Sequence, residues 1–246
     1  MEVDLIISAD DIKKEKITGK SVVIIDMLRA TSVITTAIYN GCDSVIPVLT
    51  IEEALEKASE GRGKYILGGE RKALKIEGFD CANSPLEYKE DIVKGKTLIM
   101  TTSNGTRAIK GSLGASSVLI GALINAKAVA EKLLALDNDV VIINAGTCGQ
   151  FSMDDFICSG YIINCLLSQR KDIGLTDISK TANYVYEENE DIISFIKYAS
   201  HYKRIKELNL EKDLDYCCSK DIIDIVPMYK NGIIALFDEQ KEEQIV

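Results

Sequence analysis

Histidine is nearly missing from this chain of 246 residues: there is one, His201. That scarcity argues against a Ser/His/Asp hydrolase unless His201 serves, and no GxSxG elbow is present. A Walker A sequence and a GxGxxG following a strand are also missing, so P-loop and Rossmann readings are poor. No CxxC pair occurs among the seven cysteines, which makes a zinc ribbon improbable. There is no basic cluster, and the net charge is -9, which excludes nucleic-acid binding through general electrostatics. No apolar run approaches a transmembrane span, and the acidic start MEVDLIISADD lacks the basic region of a signal peptide. A cytoplasmic protein with buried free thiols is the expectation. Pro- or Ser-rich linkers, low-complexity tracts and internal repeats are not seen.

What the chain does contain is an alternation of β-branched runs and helical patterns. Strands are expected at 4–8, 21–26, 44–49, 65–69, 97–102, 117–120 and 140–144. Near-continuous hydrophobicity, as in SVVIID and DVVIIN, suits strands covered on both faces. Helices are expected at 30–39, ending at Asn40-Gly41, and from 51 onward with Thr50 as N-cap and Glu53 in capping-box register. Further helices are expected at 106–110, 126–136, 153–169, 177–187, 191–199 and 201–208. Two short strands within 222–237, IIDIVP and GIIALF, are joined through Asn231-Gly232. The fold class is therefore α/β: a layered α/β/α architecture, a largely parallel sheet, and a helix-rich C-terminal part. One unit spanning 1–246 is expected, with a weakly marked boundary between two lobes near residue 125.

Four apolar runs end in polar clusters, where ligands bind outside the C-terminal strand ends of such sheets. VVIIDMLRATS gives Asp26 and Arg29; YILGGER gives Glu70 and Arg71. LIMTTSNGTRA gives Thr102, Ser103, Asn104, Gly105, Thr106 and Arg107. VVIINAGTCGQFSMDD gives Gly146, Thr147, Asp154 and Asp155. The chain has six arginines against 23 lysines, and three of the six lie in these clusters. Their planar forks suit phosphate, sulfonate or carboxylate. Asp26, Glu70, Asp154 and Asp155 are hard oxygen donors of the kind that hold Mg2+ together with substrate oxygens.

Each feature also has a plainer reading. Asn104-Gly105 is a common hairpin turn, although Thr106–Ile109 and Arg107 favour a helix start. Asp26 suits an N-cap for the helix from Ala30, and Asp154 or Asp155 suits a cap for the helix that follows. Gly68-Gly69 serves a tight turn, Arg71 a surface charge and His201 a structural role. Cys148 follows Gly146-Thr147 as a nucleophile would, with no evident base beside it.

The runs IDMLRATSVITTAIYNGC, LGGERKALKIEGFDCANSPLEY, TTSNGTRAI and NAGTCGQFSMDD, with SHYKRIKELNLEKDLDYC and DIVP near the end, resemble the 2-phosphosulfolactate phosphatase (ComB) family from Ser21 to Gly232. The resemblance implies a magnesium-dependent hydrolase that converts 2-phospho-3-sulfolactate to 3-sulfolactate and phosphate. In methanogens that step belongs to coenzyme M biosynthesis. Catalysis is then expected from Asp26, Glu70 and Asp155, and Mg2+ from some of Asp26, Glu70, Asp154 and Asp155. The loop Thr102–Thr106 with Arg107 is expected to bind phosphate or sulfonate, and Arg29 and Arg71 the other acidic groups. Asn83 and Ser84, ahead of Pro85, and Gly146 and Thr147 are expected to line the site. The expected partner is a small anionic phosphorylated substrate, without nucleic acid or membrane; a homo-oligomer is left open.

Overall fold

The strands are built as the apolar runs require. In Ser21–Ile25 all five residues are buried, because the two side-chain parities enter two different cores. Val23 and Ile25 pack into one core; Val22 and Ile24 pack into the other. Each such side chain contributes roughly 1.5–3 kcal/mol of hydrophobic stabilisation. The structure, a computed structural model, describes residues 1–61 and 63–237.

Eleven strands form one sheet: β1 Glu2–Ile6, β2 Ser21–Ile25, β3 Ser44–Pro47, β4 Tyr65–Arg71, β5 Leu74–Lys75, β6 Thr97–Thr101, β7 Ser117–Gly121, β8 Val140–Asn144, β9 Gly174–Leu175, β10 Met228–Lys230 and β11 Ile233–Ala235. Their order is β5-β4-β6-β3-β11-β10-β7-β2-β8-β1-β9. Helices α1 Lys14–Ile17, α2 Ala30–Tyr39, α3 Ile51–Ser59, α4 Glu90–Val93, α5 Gly105–Gly111 and α6 Ala126–Leu136 alternate with the strands. The C-terminal part is helical: α7 Met153–Gln169, α8 Asp177–Glu187, α9 Ile192–Ile196, α10 Ser200–Glu207 and α11 Glu211–Cys217. One core lies between the sheet and α6 to α11; another lies under α2 and α5; a third, smaller one lies under α3. No helix among the described residues is long and apolar enough to cross a membrane.

The sheet is mostly parallel, but not uniformly so. β4, β6 and β3 run parallel to one another, as do β7, β2, β8, β1 and β9. The antiparallel hairpin β10–β11 sits between these groups and pairs antiparallel with each. Three antiparallel steps reverse the direction, so the two parallel groups run in opposite senses. Residues at or just after the ends of strands of both groups nevertheless line one cavity, Glu70 and Ser103 from one group and Asp26 and Thr147 from the other.

One expectation about the C-terminal segment is corrected. IIDIVP is not a strand; the paired residues are Met228–Lys230, one step further on. Asn231 (φ 52°) and Gly232 (φ 88°) do form the turn, and both left-handed conformations suit a two-residue hairpin. The short β5 and β9, and the helix α11, were not foreseen. At α3 the Thr50 hydroxyl accepts from Glu53 N at 3.0 Å, as its N-cap role requires. The Glu53 carboxylate returns to Leu49 N, one residue before the cap.

Candidate active site

Asp26 is the first residue after β2 and is buried. Its Oδ1 accepts from Ala30 N at 3.3 Å, so it caps α2 while facing a cavity of about 440 Å³. Burial, helped by the charges of Glu70 and Asp154 and opposed by His201, pushes its carboxyl up to about 6. Glu70, on β4, lines the same cavity. Its two oxygens accept from Ser103 N and Ala73 N, both at 2.7 Å, so it ties the loop after β6 to the β4–β5 turn. The close approach of β4 and β6 depends on Gly69 (φ 137°), where a Cβ would lie 1.9 Å from the Thr101 carbonyl oxygen. Gly105 allows α5 to start against Asp26: a Cβ there would lie 2.8 Å from Asp26 Oδ2. Asn104-Gly105 is thus a strand-to-helix turn rather than a hairpin.

The four strand-end clusters converge, since Asp26, Arg29, Glu70, Ser103, Asn104 and Thr147 all line the cavity. Asn83 lines it too; it is buried, and its Oδ1 has no hydrogen-bond partner among the described residues. Ser84 lies behind, donating to Asp213 Oδ1 at 2.6 Å. Thr102 and Thr106 close on each other, Thr106 N donating to Thr102 Oγ1 at 3.2 Å.

The arginines are used differently from expectation. Arg29 is buried and ion-paired with buried Asp213 at 2.5 Å, and its other terminal nitrogen donates to the Ala73 carbonyl at 3.2 Å. Arg71 spends its guanidinium on Glu70 O, Leu49 O and Thr101 Oγ1. Arg107 is ion-paired with Asp10 and half-exposed, outside the residues that line the cavity.

The Asp154-Asp155 pair also has local tasks. Asp155 Oδ1 accepts from Met27 N and Oδ2 from Gly146 N, both at 3.0 Å. It thereby staples the loop after β2 to the loop after β8. Burial, with Asp154 and Asp26 nearby, pushes its carboxyl well above the usual range. Asp154 accepts from Ser152 Oγ and pairs with His201 Nδ1 at 2.9 Å. His201 Nε2 lies 3.0 Å from Thr147 Oγ1. Burial alone would lower the imidazole, but the Asp154 charge and hydrogen bond raise it to about 10. The ring is therefore an imidazolium, donating to Asp154 on one side and Thr147 on the other.

His201 and Arg204, three residues apart on α10, both face the cavity. Sequence reasoning assigned His201 a structural role and did not single out Arg204, Lys72 or Asp213. The signal for the first two was present: a lone histidine and a scarce arginine share one helix face. Cys148 is a further correction, being the one exposed cysteine and standing at the cavity wall on a left-handed turn (φ 51°).

Among the described residues, no group of three or more His, Cys, Asp and Glu side chains is arranged to hold a metal ion. The cavity still offers the carboxylates of Asp26 and Glu70 and the unpartnered Asn83 oxygen. That set fits Mg2+, which binds through one or two carboxylates and leaves its remaining positions to substrate oxygens and water.

The family model of 2-phosphosulpholactate phosphatase matches residues 6–232. The chain belongs to this family. It is a family of phosphoric monoester hydrolases by name. Proteins named probable 2-phosphosulfolactate phosphatase show similarity along nearly their full length. One from Clostridium kluyveri is 69% identical over 95% of this chain and 97% of its own. One from Clostridium acetobutylicum is 67% identical over 95% of this chain and all of its own, and one from Clostridium tetani 68% over the same shares. The family's match spans all four strand-end clusters and α10, so the cavity lies wholly inside it.

Proposed function

We propose that this enzyme hydrolyses the phosphate ester of 2-phospho-3-sulfolactate with the help of Mg2+. The observation that carries the reading is the placing of the Asp26 and Glu70 carboxylates in one cavity with the cationic side chains of Lys72, His201 and Arg204. Asp26, Glu70 and the Asn83 oxygen would hold the ion. Bound there, such an ion would neutralise phosphate charge and would make a water more acidic.

The chain's own residues do the rest. The Asp26 carboxylate, buried at the cavity wall, accepts the proton of the attacking water. Ser103 and Asn104, fixed by Glu70 and by the Cys148 amide that donates to Asn104 Oδ1, position the phosphate. Because His201 donates into Thr147 Oγ1, the Thr147 hydroxyl hydrogen is left to donate to a substrate oxygen.

Phosphate release from 2-phospho-3-sulfolactate, 2-phospholactate and phosphoglycolate, with and without Mg2+, tests this reading. Metal-dependent release that is fastest with the sulfonated ester is expected. No release from any ester by folded protein with metal overturns it. Trapping a covalent phosphoenzyme that disappears in Asp26→Asn would replace water attack by an aspartyl-phosphate route.

A further inference from the structure

The strand-end arginines do not supply the charge that a phosphate ester carrying a sulfonate as well as a carboxylate needs. Arg29 is matched by Asp213, and His201 is matched by Asp154. Arg71 is absorbed by two backbone carbonyls and a hydroxyl, and Arg107 is paired with Asp10. With those pairs set aside, the ionised side chains that line the cavity are Asp26, Glu70, Lys72 and Arg204. Phosphate beside the two carboxylates accounts for a divalent ion. A second strong-acid group on the substrate still needs a cation, and only Lys72 and Arg204 remain.

Their placement is built into the fold. Lys72 and Ala73 form the β4–β5 turn, both in the left-handed region (φ 54° and 65°). Glu70 holds Ala73 N, Arg29 holds Ala73 O at 3.2 Å, and Arg204 Nη2 holds Lys72 O at 3.2 Å. The turn that carries Lys72 is thus clamped between the catalytic carboxylate and α10. Lys72 Nζ has no hydrogen-bond or ion-pair partner among the described residues. The one carboxylate near Arg204, Glu207 at 3.5 Å, is half-exposed and on the same helix, which leaves most of the guanidinium fork available.

We propose that Arg204, with Lys72, holds the strong-acid group that stays on the product, and so selects phospho-acids that carry one. This rests on the phosphatase reading above and assigns its substrate's sulfonate to two residues.

The test compares wild type, R204Q and K72Q on 2-phospho-3-sulfolactate and on 2-phospholactate, which lacks the sulfonate. Calorimetric binding of 3-sulfolactate and of lactate is measured alongside. For R204Q the expected loss of kcat/KM on the sulfonated ester exceeds the loss on the other ester by about 10- to 100-fold, what a charge-assisted hydrogen bond carries. K72Q shows the same selectivity more weakly, and R204K regains part of it. Binding of 3-sulfolactate weakens in parallel. Equal losses on both esters, or undiminished 3-sulfolactate binding by R204Q, overturn the proposal while leaving a hydrolysing enzyme intact. Conversely, a wild type that hydrolyses neither ester but binds 3-sulfolactate through Arg204 removes the phosphatase reading and keeps the anion subsite.

Discussion

Most titratable side chains around the cavity work in pairs, and the pairing decides what each is free to do. Asp26, like Lys72, has no charged partner: it holds one backbone amide and faces open space, with a carboxyl pushed up to about 6. Asp26→Asn is expected to lower kcat by about 10²–10⁴-fold, the range of a lost general base. Steady-state assays at saturating Mg2+, with unchanged circular dichroism, check this. His201 gives a second prediction, this time on stability. Its folded value of about 10 lies above the ordinary 6.5, so the His201–Asp154 pair contributes its full stabilisation below pH 6.5. That stabilisation declines as pH rises from 6.5 through about 10. The carboxylate side runs oppositely: Asp154 is lowered from 3.8, so its share is present above 3.8 and is lost at more acid pH. Urea unfolding of wild type and His201→Gln should therefore differ most between pH 3.8 and 6.5 and converge toward pH 10. A constant difference across that range would show that the ring is not held as an imidazolium.

At the scale of elements, local signals were legible and tertiary partners were not. α2, α6, α7 and α8 fall at their expected ends, because apolar periodicity and capping are written in neighbouring residues. The capping role of Thr50 was readable for the same reason. The strand-end clusters were readable as a site because chemistry collected where apolar runs stopped. Which arginine faces the ligand was not readable, since it depends on what each guanidinium meets across the fold. Asp213 is the clearest case. It lies 184 residues from Arg29, and nothing near it marks it as the partner of a buried charge. Through Asp213, α11 reaches both Arg29 on the loop after β2 and Ser84 ahead of the Pro85 turn. Asp213→Ala would leave a buried guanidinium unpaired, and such losses cost about 3–5 kcal/mol. Equilibrium urea denaturation should show that decrease, and kcat/KM should fall with it because Arg29 lines the cavity. A decrease below about 1 kcal/mol would mean that the pair is replaced by water at little cost.

For the whole molecule, the decisive feature is where the last strands go. β10 and β11 are formed by residues 228–235, near the end of the described chain, yet they lie mid-sheet between β3 and β7. Sequence order cannot show this, because insertion between two earlier strands leaves no local mark beyond an ordinary Asn-Gly hairpin. The consequence is functional. Glu70 and Ser103 belong to one parallel group, whereas Asp26 and Thr147 belong to the other. The hairpin is the only strand connection between the groups among the described residues. Ile234 is fully buried, pairs with Val45, and packs into the core shared by both groups. Ile234→Ala is expected to cost about 2–5 kcal/mol, as for other large-to-small core changes. A chain ending at residue 226 should lose more: the two groups would have no common sheet, and the Asp26–Glu70 pair would not assemble. Expression of that shortened chain, followed by thermal unfolding and a Mg2+-dependent phosphate-release assay, tests the idea. Loss of cooperative unfolding together with activity is expected. A shortened chain that melts cooperatively and keeps wild-type turnover would show that the helices alone align the two strand groups.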